Sequence, residues 1–371
     1  MSPISATALR RAMQSFLPSL VPVRFVAEDG TTAPEPAGYT APDEAQLREA
    51  YRRMVIGRRF DTQATALTKQ GRLAVYPSSR GQEACQIAGV LALREDDWLF
   101  PTYRDSVALV SRGVDPVEVL TLLRGDWHCG YDPVATRVAP QCTPLATQVL
   151  HATGMAEAMR RRGEDRVAMA FIGDGGTSEG DFHEALNFAA VFRAPVVFFV
   201  QNNKYAISVP LARQSAAPAL AYKGVGYGVR SEQVDGNDLV AVLAVLTAAV
   251  DHARAGNGPF LVEAHTYRMD AHTNADDATR YRDAAEVEAW RTADPLTRLE
   301  AHLRGRGVLT DEDVAADREA AEAFAADLRA RMNTDQQVDP LELFDHVFAE
   351  PTPQLREQRA LLAAESTAQE V

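Results

Sequence analysis

The chain has 371 residues, 46% of them hydrophobic and 24% charged, enough for one large or two ordinary domains with a real core. Its 51 acidic residues against 38 basic ones give a formal charge of -13, and no basic run stands out, which argues against a nucleic-acid-binding protein. Three cysteines, Cys85, Cys129 and Cys142, form no CxxC pair and fit neither a disulfide framework nor a structural zinc site, so a reducing compartment, the bacterial cytoplasm, is expected.

Residues 1–42 carry Pro, Ser and Thr without a clear period and read as a surface arm. Their first 27 residues hold arginines but no acid, yet no cleavage site or apolar core of a targeting peptide accompanies them. Asp43 is placed to cap an amphipathic helix that runs toward Gly71. In the centre, the apolar run 167–172 ends in GDGG, is followed by a helical stretch from Ser178 to Phe192, and then by a second apolar run, 195–200, ending in QNN. This is a strand, crossover helix, strand unit, and the lack of polar alternation suits parallel strands covered on two faces. A third cycle follows, with a helix over 238–255, a turn at 256–259 and a strand over 260–265. The longest apolar candidate, 239–250, is too short to span a bilayer, so no membrane is expected. The pattern predicts an α/β fold with a doubly wound, mainly parallel sheet and helices on both faces. We expect an arm at 1–42, a nucleotide-like domain at 43–283 and, at 284–371, a helical extension packed on the same domain, with helices at 310–332 and 354–364.

In open parallel sheets ligands bind beyond the carboxyl ends of the strands, and three polar loops fall there: 173–176, 201–203 and 266–277. The first pairs a carboxylate with glycine N–H groups at a helix start, an anion site with a cation ligand attached. The second offers an amide oxygen. Together they suggest Mg²⁺ holding phosphate oxygens, since Mg²⁺ takes hard oxygens with few carboxylates among them. A dinucleotide fingerprint would need glycine where Ser178 stands, and a Walker loop would need GK[ST]. Residues 176–180 match the G-x-S-x-G nucleophile elbow, with Asp235 or Asp238 and then His265 or His272 downstream. An elbow must follow its strand directly, however, and 173–175 intervene, so a hydrolase using Ser178 is the remote alternative.

Gly173-Asp174-Gly175 and Asn202-Asn203 are separated by residues 176–201, 26 in all, a pairing that resembles the diphosphate-binding motif of thiamine-diphosphate enzymes. The text GDGGTSEGDFHEALNFAAVFRAPVVFFVQNNKYAIS is similar to the alpha subunit of 2-oxo acid dehydrogenases, the decarboxylating component of their complexes. So are PVRFVAEDG from Pro22, GQEA at 81–84, FPTYRD at 100–105, PLATQ at 144–148 and YRMDAH at 267–272. Within the family TPLATQ, VDGNDLVAV at 234–242 and PTPQLREQ at 351–358 resemble the branched-chain branch, whereas GQEAC resembles the pyruvate one. Branched-chain substrates are the main reading and pyruvate the alternative. Val75, where relatives often carry a bulky aromatic, lies in the segment 75–79 that the family uses to shape the pocket for the acid's tail.

The resemblance implies roles position by position. Asp174, Asn203 and the carbonyl of Tyr205 would hold Mg²⁺, while Tyr103 and Arg104 would bond the diphosphate. Thr143 and Leu145 would contact the cofactor rings. Gly173, Gly175, Gly176 and Arg268 would complete the cofactor site, and Gln201 stands where some members have an arginine. His272 would sit over the thiazolium end as the catalytic residue. Some relatives bind K⁺ with a serine at the position of Cys142, together with Thr147 and Gln148. A thiol is a poor ligand for a hard cation, which weakens the case for K⁺ here. The loop 272–283 holds phosphorylated serines in animal relatives, but this chain has Thr273 and Asp283 there, so kinase control is not supported. The implied partners are a beta subunit, which supplies the glutamate for the aminopyrimidine ring in an alpha2beta2 heterotetramer, and a lipoyl acyltransferase core.

Overall fold

Five strands, every neighbouring pair parallel, form the middle layer: β1 (Trp98–Phe100), β2 (Ala168–Gly173), β3 (Val196–Asn202), β4 (Arg230–Asp235) and β5 (Phe260–His265), in the order β1-β2-β3-β5-β4. The structure, a computed structural model, describes residues 14, 16–126, 128–334 and 339–369. Side chains alternate across a strand, and here both sets are apolar. Met169, Phe171, Val197, Phe199 and Val262 pack with Ile87 of α2 (Glu83–Leu91) and Val242 of α5 (Leu239–His252). Ala170, Ile172, Phe198 and Val200 pack on the other face with Val149 of α3 (Thr147–Arg161) and Phe182 of α4 (Gly180–Phe192). The expected two-faced α/β architecture is therefore present, with helices covering a sheet that is parallel throughout.

Helix α1 (Glu44–Lys69) starts where expected: Asp43 accepts from the N–H of Gln46, whose side chain returns the bond to Asp43 N, a full capping box. Behind it, α6 (Pro295–Gly305) and α7 (Asp311–Met332) join the same core through Leu299, Leu303, Ala321, Leu328 and Met332, and Arg48 of α1 pairs with Asp317 at 2.6 Å. Helix α8 (Pro353–Gln369) runs longer than 354–364 and, with Leu343, Val347 and Phe348 before it, presents exposed apolar side chains such as Leu361.

Three expectations need correction. Part of the arm is not on the surface. Val23, Phe25 and Val26 are buried, Val23 exchanges backbone bonds with Gln233 and Asp235 along the edge of β4, and Asp238 accepts from the N–H groups of Phe25 and Val26 at 2.7 Å each. The GDGG loop does not open the long helix: residues Gly175–Ser178 form a 3₁₀ turn, Glu179 is extended, and α4 begins at Gly180. Finally, a stretch at Leu239–Asn257 has the length and mean hydropathy of a membrane span, but Val242, Val245 and Leu246 within it are fully buried in the core.

At one position the sheet and helix layers meet without room for a methyl group. A Cβ on Gly89 of α2 would fall inside van der Waals contact of the Phe171 ring. Gly89→Ala is expected to destabilise the chain by about 1–3 kcal/mol, as overpacking does in a filled core, against the small gain in helix propensity. Chemical denaturation measures the difference.

Candidate functional site

The carboxyl ends of the strands deliver the site. Phe100 of β1 leads into the loop with Tyr103 and Arg104, β2 into 173–176, β3 into 203–207, and β5 into 266–273. These loops and the segment 142–148 before α3 surround one cavity of about 460 Å³. Of the residues expected at the cofactor, Mg²⁺ and K⁺ sites, all but Thr147 line it: Tyr103, Arg104, Cys142, Thr143, Leu145, Gln148, Gly173, Asp174, Gly175, Gly176, Gln201, Asn203, Tyr205, Arg268 and His272, whereas Ser178, Asp235, Asp238 and His265 of the hydrolase reading do not. Val75 is there too, with Leu123, whose carbonyl accepts from the N–H of Val75 at 3.2 Å.

Asp174 is 1% exposed, and burial raises its pKa even though a hydrogen bond from Gln214 and the charge of Lys204 oppose the rise. Gln214 Nε2 donates to Asp174 Oδ2 at 2.9 Å and to the carbonyl of Val209 at 2.9 Å. Asn203 turns its Nδ2 to Gln82 Oε1 at 3.0 Å, which leaves Oδ1 for Tyr205 N at 3.2 Å. The chain folds tightly here: Lys204, between Asn203 and Tyr205, has φ 76°, and Ala146 and Ile207 on the cavity wall have φ 64° and 54°. Such left-handed non-glycine residues hold strain that functional loops often carry. Gly175 permits the approach of the 205–210 hairpin, since a Cβ there would come within 2.6 Å of Ala206 Cβ.

One buried carboxylate, one amide oxygen and one backbone carbonyl are hard neutral or anionic oxygens, the donor set a Mg²⁺ ion takes when phosphates and water complete its shell. Asp174 is under-compensated in the absence of a cation, which fits that role. Among the described residues, no group of three or more His, Cys, Asp or Glu side chains is placed to hold a metal ion, so an all-protein centre of the zinc type is not built here. The carbonyl of Tyr205 currently accepts a long 3.3 Å bond from Arg268.

Two expected phosphate ligands have other engagements. Arg268 is a strut rather than a free cation: it bonds the carbonyls of Tyr205, Ile207 and Asp270 and the hydroxyl of Tyr281. Gln201 has both amide ends spent, accepting from Gln82 Nε2 at 2.9 Å and donating to Asp105 Oδ1 at 2.7 Å. Arg104 holds the carbonyl of Ser78 at 3.0 Å and reaches His272 with Nη2, bonding Nδ1 at 3.0 Å and the carbonyl at 3.1 Å.

That contact fixes the tautomer of His272. Arginine only donates, so Nδ1 is the acceptor and the ring proton sits on Nε2. Burial, reinforced by the charges of Arg104 and Arg268, lowers the pKa of His272 to about 4. At neutral pH it is therefore a neutral donor through Nε2. Between its ordinary 6.5 and about 4 the unfolded chain binds a proton that the folded chain does not, so this group adds stability above pH 6.5 and loses it as pH falls toward 4. Thermal melts should accordingly fall less steeply between about pH 7 and about pH 5 in His272→Asn than in the wild type.

The alternatives fare differently. Ser178 is exposed, and neither downstream histidine serves it. His265 accepts from Lys204 Nζ at 2.9 Å through Nδ1 and bonds Gln233 at 2.9 Å, and His272 is held by Arg104. The hydrolase reading therefore lacks its base. At the K⁺ position Gln148 Oε1 is buried without a partner among the described residues, while Cys142 points its thiol to the carbonyl of Pro144 at 3.6 Å and burial raises its pKa, keeping it neutral. Sequence reasoning also missed Gln82, Gln214, Lys204 and Glu179. Glu179 is, with Asp174, one of two carboxylates among the lining residues, and it is exposed.

Comparison with known proteins adds the following. Residues 51–339 match the family model described as Dehydrogenase E1 component. A protein of Mycobacterium tuberculosis (strain ATCC 25618 / H37Rv) named 3-methyl-2-oxobutanoate dehydrogenase subunit alpha is 46% identical over 349 residues, covering 93% of this chain and 94% of its own. A Staphylococcus aureus (strain N315) protein named pyruvate dehydrogenase E1 component subunit alpha is 38% identical over 320 residues, covering 85% of each.

Proposed function

This chain belongs to the dehydrogenase E1 component family, and we propose that it is the alpha subunit of a branched-chain 2-oxo acid dehydrogenase that uses thiamine diphosphate and Mg²⁺. The observation that carries the cofactor reading is the single cavity in which Asp174, Asn203 and the Tyr205 carbonyl face Tyr103, Arg104 and His272. Substrate class rests on the higher identity and longer coverage shared with the 3-methyl-2-oxobutanoate relative than with the pyruvate one.

When bound, thiamine diphosphate supplies a nucleophilic ring carbon and an electron sink for decarboxylation of the 2-oxo acid. The chain supplies position and electrostatics. Asp174 Oδ1, Asn203 Oδ1 and the Tyr205 carbonyl would hold Mg²⁺, and the turn of Gly173, Gly175 and Gly176 would face the diphosphate with Tyr103 and the free N–H groups of Arg104. Thr143 and Leu145 would border the rings, and Val75 and Leu123 the tail of the acid. His272 would offer its Nε2 proton near the reacting carbon, held in that tautomer by Arg104. Residues 43–283 would form the cofactor domain, with 284–371 as its helical extension.

A beta subunit would close the site in an alpha2beta2 assembly, and a lipoyl acyltransferase core would accept the acyl group. Supporting a partner at the mouth are three exposed apolar side chains, Leu145 (45%), Ile207 (55%) and Val209 (42%), the first two lining the cavity. The assembled enzyme is expected to favour 3-methyl-2-oxobutanoate over pyruvate in kcat/KM by about 10- to 200-fold, the range an apolar pocket gives for one or two methylenes. Steady-state decarboxylation of both acids decides it, and a preference for pyruvate would move the protein to the pyruvate branch.

A further inference from the structure

Four buried polar side chains form a line behind the cation site. Asn203 Nδ2 donates to Gln82 Oε1 (3.0 Å), Gln82 Nε2 donates to Gln201 Oε1 (2.9 Å), and Gln201 Nε2 donates to Asp105 Oδ1 (2.7 Å). The other oxygen of Asp105 accepts from Thr102 N at 2.7 Å and from Thr102 Oγ1 at 2.6 Å. Exposure is 6% at Asn203, 2% at Gln82 and Gln201, and 0% at Asp105, so no bulk water is at hand to rescue an amide turned the wrong way.

An amide has one donor end and one acceptor end, and a carboxylate only accepts. Asp105 therefore requires Gln201 to present Nε2. That choice aims Gln201 Oε1 at Gln82, which must answer with Nε2, and this in turn aims Gln82 Oε1 at Asn203, which must answer with Nδ2. We propose that Asp105 is a positioning residue whose carboxylate, acting through Gln201 and Gln82 and alongside the Tyr205 N–H from which Asn203 Oδ1 accepts at 3.2 Å, turns the oxygen of Asn203 rather than its nitrogen into the cation site. The inference rests on the cofactor reading above and adds to it: Asp105 also anchors the Thr102–Arg104 loop, so the two walls of the cavity share one hydrogen-bonded chain. Chains of this kind polarise and reinforce one another in a dry interior.

Asp105→Asn tests the direction of the line with nearly unchanged shape. Thr102 N is a fixed donor, so the new amide must keep its oxygen there and point its nitrogen at Gln201. Gln201 and Gln82 would then each have to reverse and aim Gln82 Nε2 at Asn203, which must either reverse as well, giving up the bond its Oδ1 accepts from Tyr205 N at 3.2 Å and presenting an NH₂ group to the cation, or keep that bond and set its Nδ2 against Gln82 Nε2. In the full chain copurified with its beta subunit, with thiamine diphosphate saturating, titration calorimetry with Mg²⁺ should show affinity about 10- to 100-fold weaker, the usual effect of losing an outer partner of a metal ligand. Adding Asn203→Asp should recover most of it, because a carboxylate there can accept from the reversed Gln82 and still face the metal. The improvement from Asn203→Asp should therefore be larger in the Asp105→Asn background than in the wild type, a coupling that a double-mutant cycle reads directly.

Circular dichroism establishes that each variant folds. Should Asp105→Asn fail to fold, Gln82→Leu cuts the line beside Asn203 and should weaken Mg²⁺ by a similar factor. A folded Asp105→Asn or Gln82→Leu variant with wild-type Mg²⁺ affinity, or strictly additive effects in the cycle, overturns the relay. A wild type that takes up no Mg²⁺ with thiamine diphosphate instead overturns the cofactor reading, and this inference with it.

Discussion

Replacing Asp174 with alanine is expected to abolish Mg²⁺-dependent binding of thiamine diphosphate while leaving the ligand-free chain as stable as the wild type, or more so. The two effects have one cause. Asp174 is a carboxylate at 1% exposure that accepts a side-chain hydrogen bond from Gln214, and burial, the largest influence on it, still disfavours its charged form. Truncation removes that cost, and the residue caps no helix through its side chain. What is lost is the one anionic ligand in the expected donor set. The affinity loss should exceed the roughly 10- to 100-fold typical of outer-shell partners. Calorimetry with Mg²⁺ and thiamine diphosphate, run beside a thermal melt of the ligand-free chain, separates the two. Undiminished cofactor affinity would remove Asp174 from the metal site, and a collapsed melt would make it a structural residue.

The parts of the molecule legible in the sequence are those whose physics is local. β2 and β3 are apolar on both faces because helices cover both faces, so 167–172 and 195–200 stand out as uninterrupted runs. β1 is only three residues long, too short for any period, yet it is the strand that delivers Tyr103 and Arg104. β4 reads RSEQVD and looks like a loop, since its polar groups are satisfied by distant partners: Glu232 accepts from Ser19 and Tyr39, and Asp235 is paired with Arg24 and Arg298. The same long-range pairing accompanies the burial of Val23, Phe25 and Val26 in what reads as a surface arm.

In the site, the GDG and NN motifs mark Asp174 and Asn203 through their resemblance to a diphosphate-binding motif. The groups that orient them carry no such mark. Gln214 lies forty residues from Asp174, and Gln82 more than a hundred from Asn203. A glutamine on a helix or in a loop has many uses, and only the folded chain puts its amide against a particular ligand. Arg268 shows the converse: a cation in a motif beside the expected phosphate site whose guanidinium is committed to backbone carbonyls.

The chain by itself is expected to hold the cofactor yet to turn over 2-oxo acid about 10²- to 10⁴-fold more slowly than when co-expressed with a beta subunit, the contribution general base catalysis typically makes. Activation of the cofactor needs a carboxylate at the aminopyrimidine ring. The described residues around the cavity offer two carboxylates, Asp174, assigned to the metal, and Glu179, exposed at the start of α4. The apolar rim of Leu145, Ile207 and Val209 is open to water, where a partner would exclude it. Cofactor affinity should therefore rise when the beta subunit is added, and by linkage the cofactor should tighten the assembly to the same degree. Single-chain and co-expressed preparations, assayed with Mg²⁺ and thiamine diphosphate, give the comparison. Full turnover by the single chain would end the heterotetramer reading and assign the base to this chain. Glu179→Gln would then have to abolish that turnover, whereas under the heterotetramer reading the same substitution leaves the partner's carboxylate in place and the assembled enzyme active.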